Sequence, residues 1–146
     1  MKIVRSDFLW LTSRTYPFGS ENCKLLTGKL MEEYGFKYDD HGNLYRVILK
    51  ENNVAPSTMF CAHTDTVIDS PWYRFCKKRK WALGKSKPVK HVFPKNKAFV
   101  KTDGTTTRGA DDKAGVAIIL RMIKKEKPGV YYLFVGEEVG HVGSRK

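Results

Sequence analysis

Hydrophobic residues recur along the chain with two different spacings, one typical of helices and one typical of strands. The clearest helical spacing lies between Asp112 and Glu126, where apolar residues follow an i, i+3, i+4, i+7 pattern: Val116, Ile119, Leu120 and Ile123. Arg121, Lys124 and Lys125 face away from these apolar residues, so the pattern predicts a helix with one buried face. Pro128-Gly129 follows and would end it.

A second helix is predicted from Ser20 to Tyr34. Ser20 can cap its first turn, and Gly35 stands where a helix would stop. The segment that follows contains two β-prone runs on either side of His41-Gly42-Asn43, which predicts a β-hairpin.

Two short apolar runs predict buried strands. The first spans residues 57–62 and the second spans Val130 to Val135, with the helix at 112–126 between them. A strand, a helix and a second strand in this order predict a parallel pair and therefore an α/β fold. The segment from Ala98 to Lys101 also has strand character, and Asp103-Gly104 marks a turn after it.

Polar residues stand in three clusters at the predicted strand ends and helix start. They are His63 and Asp65, Asp111 and Asp112, and Glu137 and Glu138. Each cluster alone has a structural interpretation, as a hydrogen-bonded His–Asp pair, as helix caps, or as a solvated turn. Because the carboxyl ends of parallel strands meet at one edge of a sheet, we expect the clusters to converge there.

The three clusters together predict a metal-dependent hydrolytic site. Carboxylates gathered at one edge repel one another unless a cation neutralises them. Imidazole with carboxylates is a ligand set suited to zinc, and also to cobalt or manganese. With two carboxylates in one dipeptide, one can bind the metal while the other takes a proton from water.

Three motifs in this chain resemble those of co-catalytic zinc peptidases. The segments are FCAHTDTV, KTDGTTTRGADDKAGVAIIL and LFVGEEVGHVGS, and their order and context match peptidase T and its M20 relatives, with the M28 and M42 aminopeptidases more distant. The resemblance covers roughly residues 60–144, apart from a basic segment inside it. It implies hydrolysis of peptide bonds in an aminopeptidase or tripeptidase reaction.

The resemblance also implies a role for each polar residue. His63, Asp111 and Glu138 would bind metal, with Asp111 bridging two ions. Asp65 would orient His63 or the catalytic base, and Glu137 would be the general base and later the acid. It further implies that the Asp111–Asp112 peptide is cis.

The implied fold is a three-layer zinc-peptidase sandwich with a mixed, mainly parallel sheet, incomplete at its C-terminus. The family needs two further ligands, an acidic residue and a late histidine, and His141 follows Glu138 too closely to be the latter. We therefore expect a single truncated catalytic domain over residues 1–146. A second chain or a dimer mate could complete the site, and a catalytically inactive or split remnant is the alternative.

The net charge of +12 changes this interpretation little, because it is concentrated in one segment. Residues 70–101 hold 11 of the 27 Lys and Arg residues and none of the 15 acidic ones. We interpret residues 70–97 as a basic excursion from the domain. A solvated loop is the simplest interpretation, and a polyanion or nucleic-acid surface over 70–101 is the alternative.

The cysteine count and the hydropathy favour a cytoplasmic protein without a membrane segment. Cys23, Cys61 and Cys76 are odd in number and lack C-x-x-C spacing, which argues against a disulfide framework. No run is long and apolar enough to span a bilayer, and the N-terminal residues lack the pattern of a signal peptide.

Overall fold

A four-stranded mixed sheet organises the computed structural model, which describes residues 2–67, 87–94, 99–106 and 109–145. Its strands are β1 (Lys37–Tyr38), β2 (Leu44–Ile48), β3 (Met59–His63) and β6 (Gly129–Phe134), in the spatial order β1-β2-β6-β3. Two further strands, β4 (His91–Val92) and β5 (Lys101–Thr102), form a separate antiparallel pair. The α/β fold and the mixed sheet are confirmed.

Three helices accompany this sheet in the described residues: α1 (Lys2–Leu11), α2 (Glu21–Tyr34) and α3 (Ala110–Lys124). The Ser20 side chain accepts a hydrogen bond from the backbone N–H of Cys23, and Gly35 closes α2 at a φ of 64°, so both predicted ends of this helix are confirmed. No element was predicted at α1.

The sheet combines a hairpin with a parallel crossover. The hairpin around Gly42 is confirmed, because β1 and β2 pair antiparallel. Strands β3 and β6 pair parallel, joined through α3, as predicted. Strand β2 pairs antiparallel with β6, so parallel pairing in the described residues is confined to β3 and β6. The expectation of mainly parallel pairing holds only for that pair.

One face of the sheet carries the core. Side chains from all three helices pack there against inward residues of β2, β3 and β6, and the fully buried members include Leu11, Leu30, Leu44, Val116, Leu120, Tyr131 and Leu133. These positions alternate along β6, where Tyr132 and Phe134 point to the other face and are only half-buried. The described residues thus form two layers, and the third layer of the predicted sandwich is not among them.

Most of the basic excursion predicted over residues 70–97, namely 70–86 and 95–97, lies outside the described residues. Where its second half is described, it is tied to the N-terminal region: the Thr15 N–H donates to the Lys87 carbonyl and the Val89 N–H to the Ser13 carbonyl, each over 2.8 Å. No described helix is long and apolar enough to cross a membrane.

Candidate active site

The three polar clusters converge at one edge of the sheet. His63 is the last residue of β3 and pairs in register with Phe134, the last residue of β6, so the segments that follow both strands leave the sheet side by side. Glu137 and Glu138 follow β6, and Asp111 lies at the start of α3. The predicted convergence is therefore observed, and the parallel register is its cause.

His63 is buried and has carboxylates on both sides of its ring. Nδ1 lies 3.1 Å from the Asp65 carbonyl oxygen and 3.5 Å from Asp65 Oδ1. Nε2 lies 3.3 Å from Asp111 Oδ1 and 4.0 Å from Glu137 Oε2. Both ring nitrogens thus face acceptors, and a proton on Nδ1 would leave the Nε2 lone pair directed into the site.

The carboxylates around His63 stabilise its charged form in the absence of metal. Burial by itself lowers the pKa of His63, but the hydrogen bond and charge of Asp65 and the hydrogen bond with Asp111 outweigh burial and raise the pKa to about 9. Any cation that binds Nε2 at neutral pH must therefore displace a proton.

Asp65 connects the two strand ends. Its carboxylate is fully buried, Oδ1 accepts the backbone N–H of Glu137, and Oδ2 accepts that of Glu138, each over 3.1 Å. Burial would raise the pKa of this carboxyl, yet His63 and these two N–H donors lower it below the ordinary value. Asp65 is thus a buried anion that fixes the Glu137–Glu138 backbone beside His63.

The two aspartates at the start of α3 have different environments. The peptide bond between them is cis, and neither residue has helical backbone angles. Asp112 Oδ1 accepts the backbone N–H of Gly115 over 2.9 Å, which is the contact of a helix cap. The Asp111 side chain is 88% exposed and extends to His63. Asp111 is therefore the member of the pair that faces the site.

Glu137 and Glu138 complete a group of potential metal ligands. One ligand atom each from His63, Glu137 and Glu138 lies within 4.8 Å of the other two. Burial raises the pKa of Glu138, as do the charges of Glu137, Asp111 and Asp65, while His63 opposes the shift. The predicted metal ligands were His63, Asp111 and Glu138, and Glu137 was predicted to be the general base. Asp111 lies beside His63 in the structure, but the group of ligand atoms within 4.8 Å consists of His63, Glu137 and Glu138.

Lys113 is a site residue that the sequence analysis missed. Its side chain is fully buried, and Nζ donates to the carbonyl oxygens of Thr64, at 2.5 Å, and Asp65, at 3.2 Å. Burial lowers its pKa to about 8, although the charge of Asp65 favours the protonated form. The signal was present, because Lys113 precedes Val116, Ala117 and Leu120 at the spacing of the apolar face.

The loop after His63 is also hydrogen-bonded to the N-terminal region and packs against the residue before α3. Thr66 Oγ1 accepts the Tyr16 backbone N–H over 2.7 Å, and the Thr66 N–H donates to the Tyr16 carbonyl over 3.0 Å. Gly109 lies against the same threonine with a φ of 59°, and a Cβ there would come within 2.8 Å of Thr66 Cγ2. The positive φ and this close approach together favour glycine at residue 109.

His141 lies at the outer side of the site. Its side chain is half-exposed, and Nδ1 lies 3.0 Å from Glu137 Oε1. The turn from Glu137 to His141 is closed by the His141 N–H, which donates to the Glu137 carbonyl over 3.0 Å.

Comparison with solved structures gives peptidases at high similarity. A tripeptidase from Staphylococcus aureus superposes with a TM-score of 0.71 at 24% identity, covering 97% of this chain and 38% of its own. Aminopeptidase PepT from Bacillus cereus gives 0.68 at 29% identity, with the same coverage. An aminoacylhistidine dipeptidase from Vibrio alginolyticus gives 0.64 at 21% identity, covering 96% of this chain and 29% of its own.

Comparison of sequences adds one relative. YqjE of Bacillus subtilis, described as an uncharacterized protein, is 32% identical in an alignment 142 positions long that covers 86% of this chain and 33% of YqjE. No protein-family model matches the chain. The chain therefore spans about a third of the relatives it matches. The predicted resemblance to peptidase T and its relatives is confirmed, over the N-terminal part of those enzymes.

Proposed function

Because this chain shares its fold with part of a tripeptidase and of aminopeptidase PepT, we propose that it is the metal-binding part of a zinc-dependent peptidase of the M20 type. The substrates would be small peptides, in an aminopeptidase or tripeptidase reaction. The observation that carries the proposal is the convergence of ligand atoms from His63, Glu137 and Glu138 within 4.8 Å, with Asp111 beside them.

The chemistry of these donors fits zinc. One imidazole and several carboxylates are ligands that zinc accepts, with cobalt and manganese as alternatives. His63 Nε2 lies beside the carboxylates of the site. Burial raises the pKa of Glu138, and the charges of Glu137, Asp111 and Asp65 raise it further against the opposing effect of His63. His63, Glu138 and Asp111 would hold the metal. When bound, zinc supplies a Lewis acid that lowers the pKa of a water molecule to about 7.

Glu137 is the candidate proton acceptor. Its side chain is about one-third exposed, so it reaches solvent, and Oε2 lies 4.0 Å from His63 Nε2. It would take the proton of the attacking water and deliver it to the amine that leaves when the peptide bond breaks. Its backbone is fixed by Asp65, so the base and the ligand Glu138 are positioned by the same buried carboxylate.

A cytoplasmic location belongs to the proposal and is supported by cysteine usage. Cys23 and Cys61 are free thiols, as expected for a reducing compartment. Cys61 is exposed, although it lies in the apolar run of β3. The reason is that Cys61 alternates with Phe60 and Ala62 on β3 and faces away from the core.

Metal content and peptide hydrolysis test the proposal together. We expect the purified protein to bind zinc, measured by elemental mass spectrometry, and to hydrolyse di- and tripeptides in a chelator-sensitive way. Glu137→Gln should keep the metal and lower hydrolysis by about 100-fold or more, since it removes the base. Glu32→Gln, an exposed change on α2, is the matched control.

The outcomes separate the alternatives. A Glu137→Gln variant that hydrolyses as fast as the parent would rule out Glu137 as the base. Metal binding without turnover would indicate a non-catalytic metal-binding remnant. Absence of bound metal in the parent would contradict the proposal as a whole.

A further inference from the structure

Residues 135–143 form a closed loop after β6, which we name the glutamate loop because it carries Glu137 and Glu138. Its two ends lie side by side, since the Gly143 N–H donates to the Val135 carbonyl over 3.0 Å. A group that holds both ends therefore holds the whole loop against the rest of the domain, and with it the two carboxylates of the candidate site.

Asn43, in the turn between β1 and β2, contacts both ends of the glutamate loop. Its side-chain Oδ1 accepts the Val135 N–H over 3.2 Å, and Nδ2 donates to the Gly143 carbonyl over 2.9 Å. These bonds span 92 and 100 positions of sequence. Asn43 is only 1% exposed, so each bond that is broken leaves a buried polar group without a partner.

The hairpin turn does not need the Asn43 side chain for its own closure. Asp39 closes the turn, because its Oδ1 accepts the backbone N–H groups of His41 and Asn43 over 2.9 and 2.8 Å. Asp39 Oδ2 accepts the remaining Nδ2 proton of Asn43 over 2.9 Å and also the hydroxyl of Tyr132. Because a carboxylate only accepts hydrogen bonds, it turns Nδ2 toward itself and leaves Oδ1 for the Val135 N–H.

Gly143 shows how closely the loop approaches Asn43. A Cβ at this position would overlap Asn43 Oδ1 and would lie 2.9 Å from the Val135 carbonyl oxygen. Any side chain at residue 143 would therefore push the end of the loop away from Asn43. The asparagine of the hairpin and the second glycine of GHVGS are thus the two halves of one contact.

The glutamate loop is held from both strands that flank β6. Asp65, which follows β3, accepts the backbone N–H groups of Glu137 and Glu138 in the middle of the loop. Asn43, which precedes β2, holds the two ends. We propose that Asn43 is a positioning residue of the candidate site: without touching substrate or metal, it holds Glu137 and Glu138 where base and ligand are needed. The consequence for catalysis rests on the proposed function, whereas the placement of the loop does not.

Amide hydrogen exchange in the metal-free protein, followed by nuclear magnetic resonance, tests the placement of the loop. Asn43→Asp keeps the size of the side chain and the acceptor for Val135, but it replaces the donor to Gly143 with an oxygen. We expect the amides of Glu137 and Glu138 to exchange at least about 10-fold faster relative to those of β6, because the loop opens locally. The amides of β6 report any change in global stability.

Two further variants control this measurement. Gly143→Ala breaks the same contact from the side of the loop and should give the same acceleration, so the test does not depend on the folding of Asn43→Asp alone. Tyr132→Phe removes one hydrogen bond from Asp39 and leaves the bonds between Asn43 and the loop in place. It should change exchange in the glutamate loop by less than about twofold.

The kinetics of peptide hydrolysis test the consequence for catalysis. Asn43→Asp and Gly143→Ala should each lower kcat per folded molecule by about 10-fold and change KM by less than about twofold, since misplaced groups act mainly on the chemical step. Tyr132→Phe should keep kcat within about twofold of the parent. A merely structural role of Asn43 would reduce the folded fraction and leave kcat per folded molecule unchanged.

Unchanged exchange of the loop amides in Asn43→Asp and Gly143→Ala would overturn the proposal, and so would an equal acceleration in Tyr132→Phe. A kcat equal to that of the parent in both loop variants would also overturn it. Faster exchange in both, with a parent that binds no metal and hydrolyses nothing, would support the placement of the loop by Asn43 and contradict the proposed function. An active parent whose loop variants match it in exchange and kcat would do the reverse.

Discussion

The segment that follows β3 and the start of α3 both supply residues to the candidate site, but they are built in opposite ways. Asp65 is fully buried, and its carboxylate accepts two backbone hydrogen bonds. Asp111 extends into solvent, and its Oδ1 lies 3.3 Å from His63 Nε2. We infer that the β3 segment is a fixed frame that exists without metal, while Asp111 is a mobile arm that a bound cation would fix in place.

The largest effect is expected from the frame. Asp65→Asn should lower the free energy of unfolding by about 3 kcal/mol, because it breaks a buried charge network and turns an amide N–H₂ toward a backbone donor. Chemical denaturation of the metal-free protein measures the change. Asp40→Asn, in the exposed hairpin turn, is the control and should be neutral. A stability equal to that of the parent would show that the frame contributes nothing.

A somewhat smaller loss is expected at Lys113. Lys113→Met keeps the volume but leaves the carbonyl oxygens of Thr64 and Asp65 without their donor, at a cost of about 2 kcal/mol. Thermal and denaturant unfolding provide the measurement, with the exposed Lys24→Met as the matched control. An increase in stability would mean that burial of the ammonium group costs more than its hydrogen bonds contribute.

The pH dependence of metal binding reports the pKa of His63, which Asp65 raises. With a pKa of about 9, His63 is protonated at neutral pH in the metal-free protein. Zinc affinity should therefore rise by about tenfold per pH unit from pH 6.5 to 8.5 and level off near pH 9. Folding stability depends on pH in the opposite direction to zinc affinity. Protonated His63 stabilises the folded protein below about pH 6.5, and this stabilisation is lost as the pH approaches 9.

Calorimetry in two buffers of different ionisation enthalpy counts the protons released. We expect one proton per zinc ion in the parent and in His41→Gln, a change in the exposed hairpin turn. Zinc binding at pH 7 without proton release would place the pKa of His63 below neutrality.

The smallest effect on stability is expected at Asp111. Comparing substitutions of Asp111 and Asp112 separates the roles of these two adjacent residues. Asp111→Ala should change the free energy of unfolding by less than about 0.5 kcal/mol, since the side chain is exposed. Asp112→Ala removes the cap of Gly115 and should cost about 1 kcal/mol. Zinc titration should show the reverse order, with the greater loss of affinity in Asp111→Ala. Equal losses of stability would contradict the assignment of arm and cap.

Sequence reasoning succeeded where a local pattern determines the structure. The ends of α2 follow from Ser20 and Gly35, which satisfy backbone groups close to them in sequence. The pairing of β3 with β6 follows from the handedness and length of a strand–helix–strand unit. The convergence of His63 with the Glu137–Glu138 pair is then a consequence of that register.

It failed where the outcome depends on contacts distant in sequence. The tie from Lys113 to Thr64 spans 49 positions, so its local signal was only a charged residue on an apolar face. The different roles of Asp111 and Asp112 depend on which side chain the backbone turns toward α3, and adjacency in sequence does not encode this. The cover of the second sheet face depends on elements that do not lie among the described residues, and the local sequence of the strands does not encode it.

The double hydrogen bond between Tyr16 and Thr66 has a consequence for the order of assembly. It joins the region after α1 to the loop that carries Asp65, across 50 positions of sequence. Metal binding at His63 and docking of the N-terminal region are thereby thermodynamically linked, because each favours the same loop conformation. The amide protons of Tyr16 and Thr66 should exchange with solvent as one cooperative unit, and zinc should slow both together.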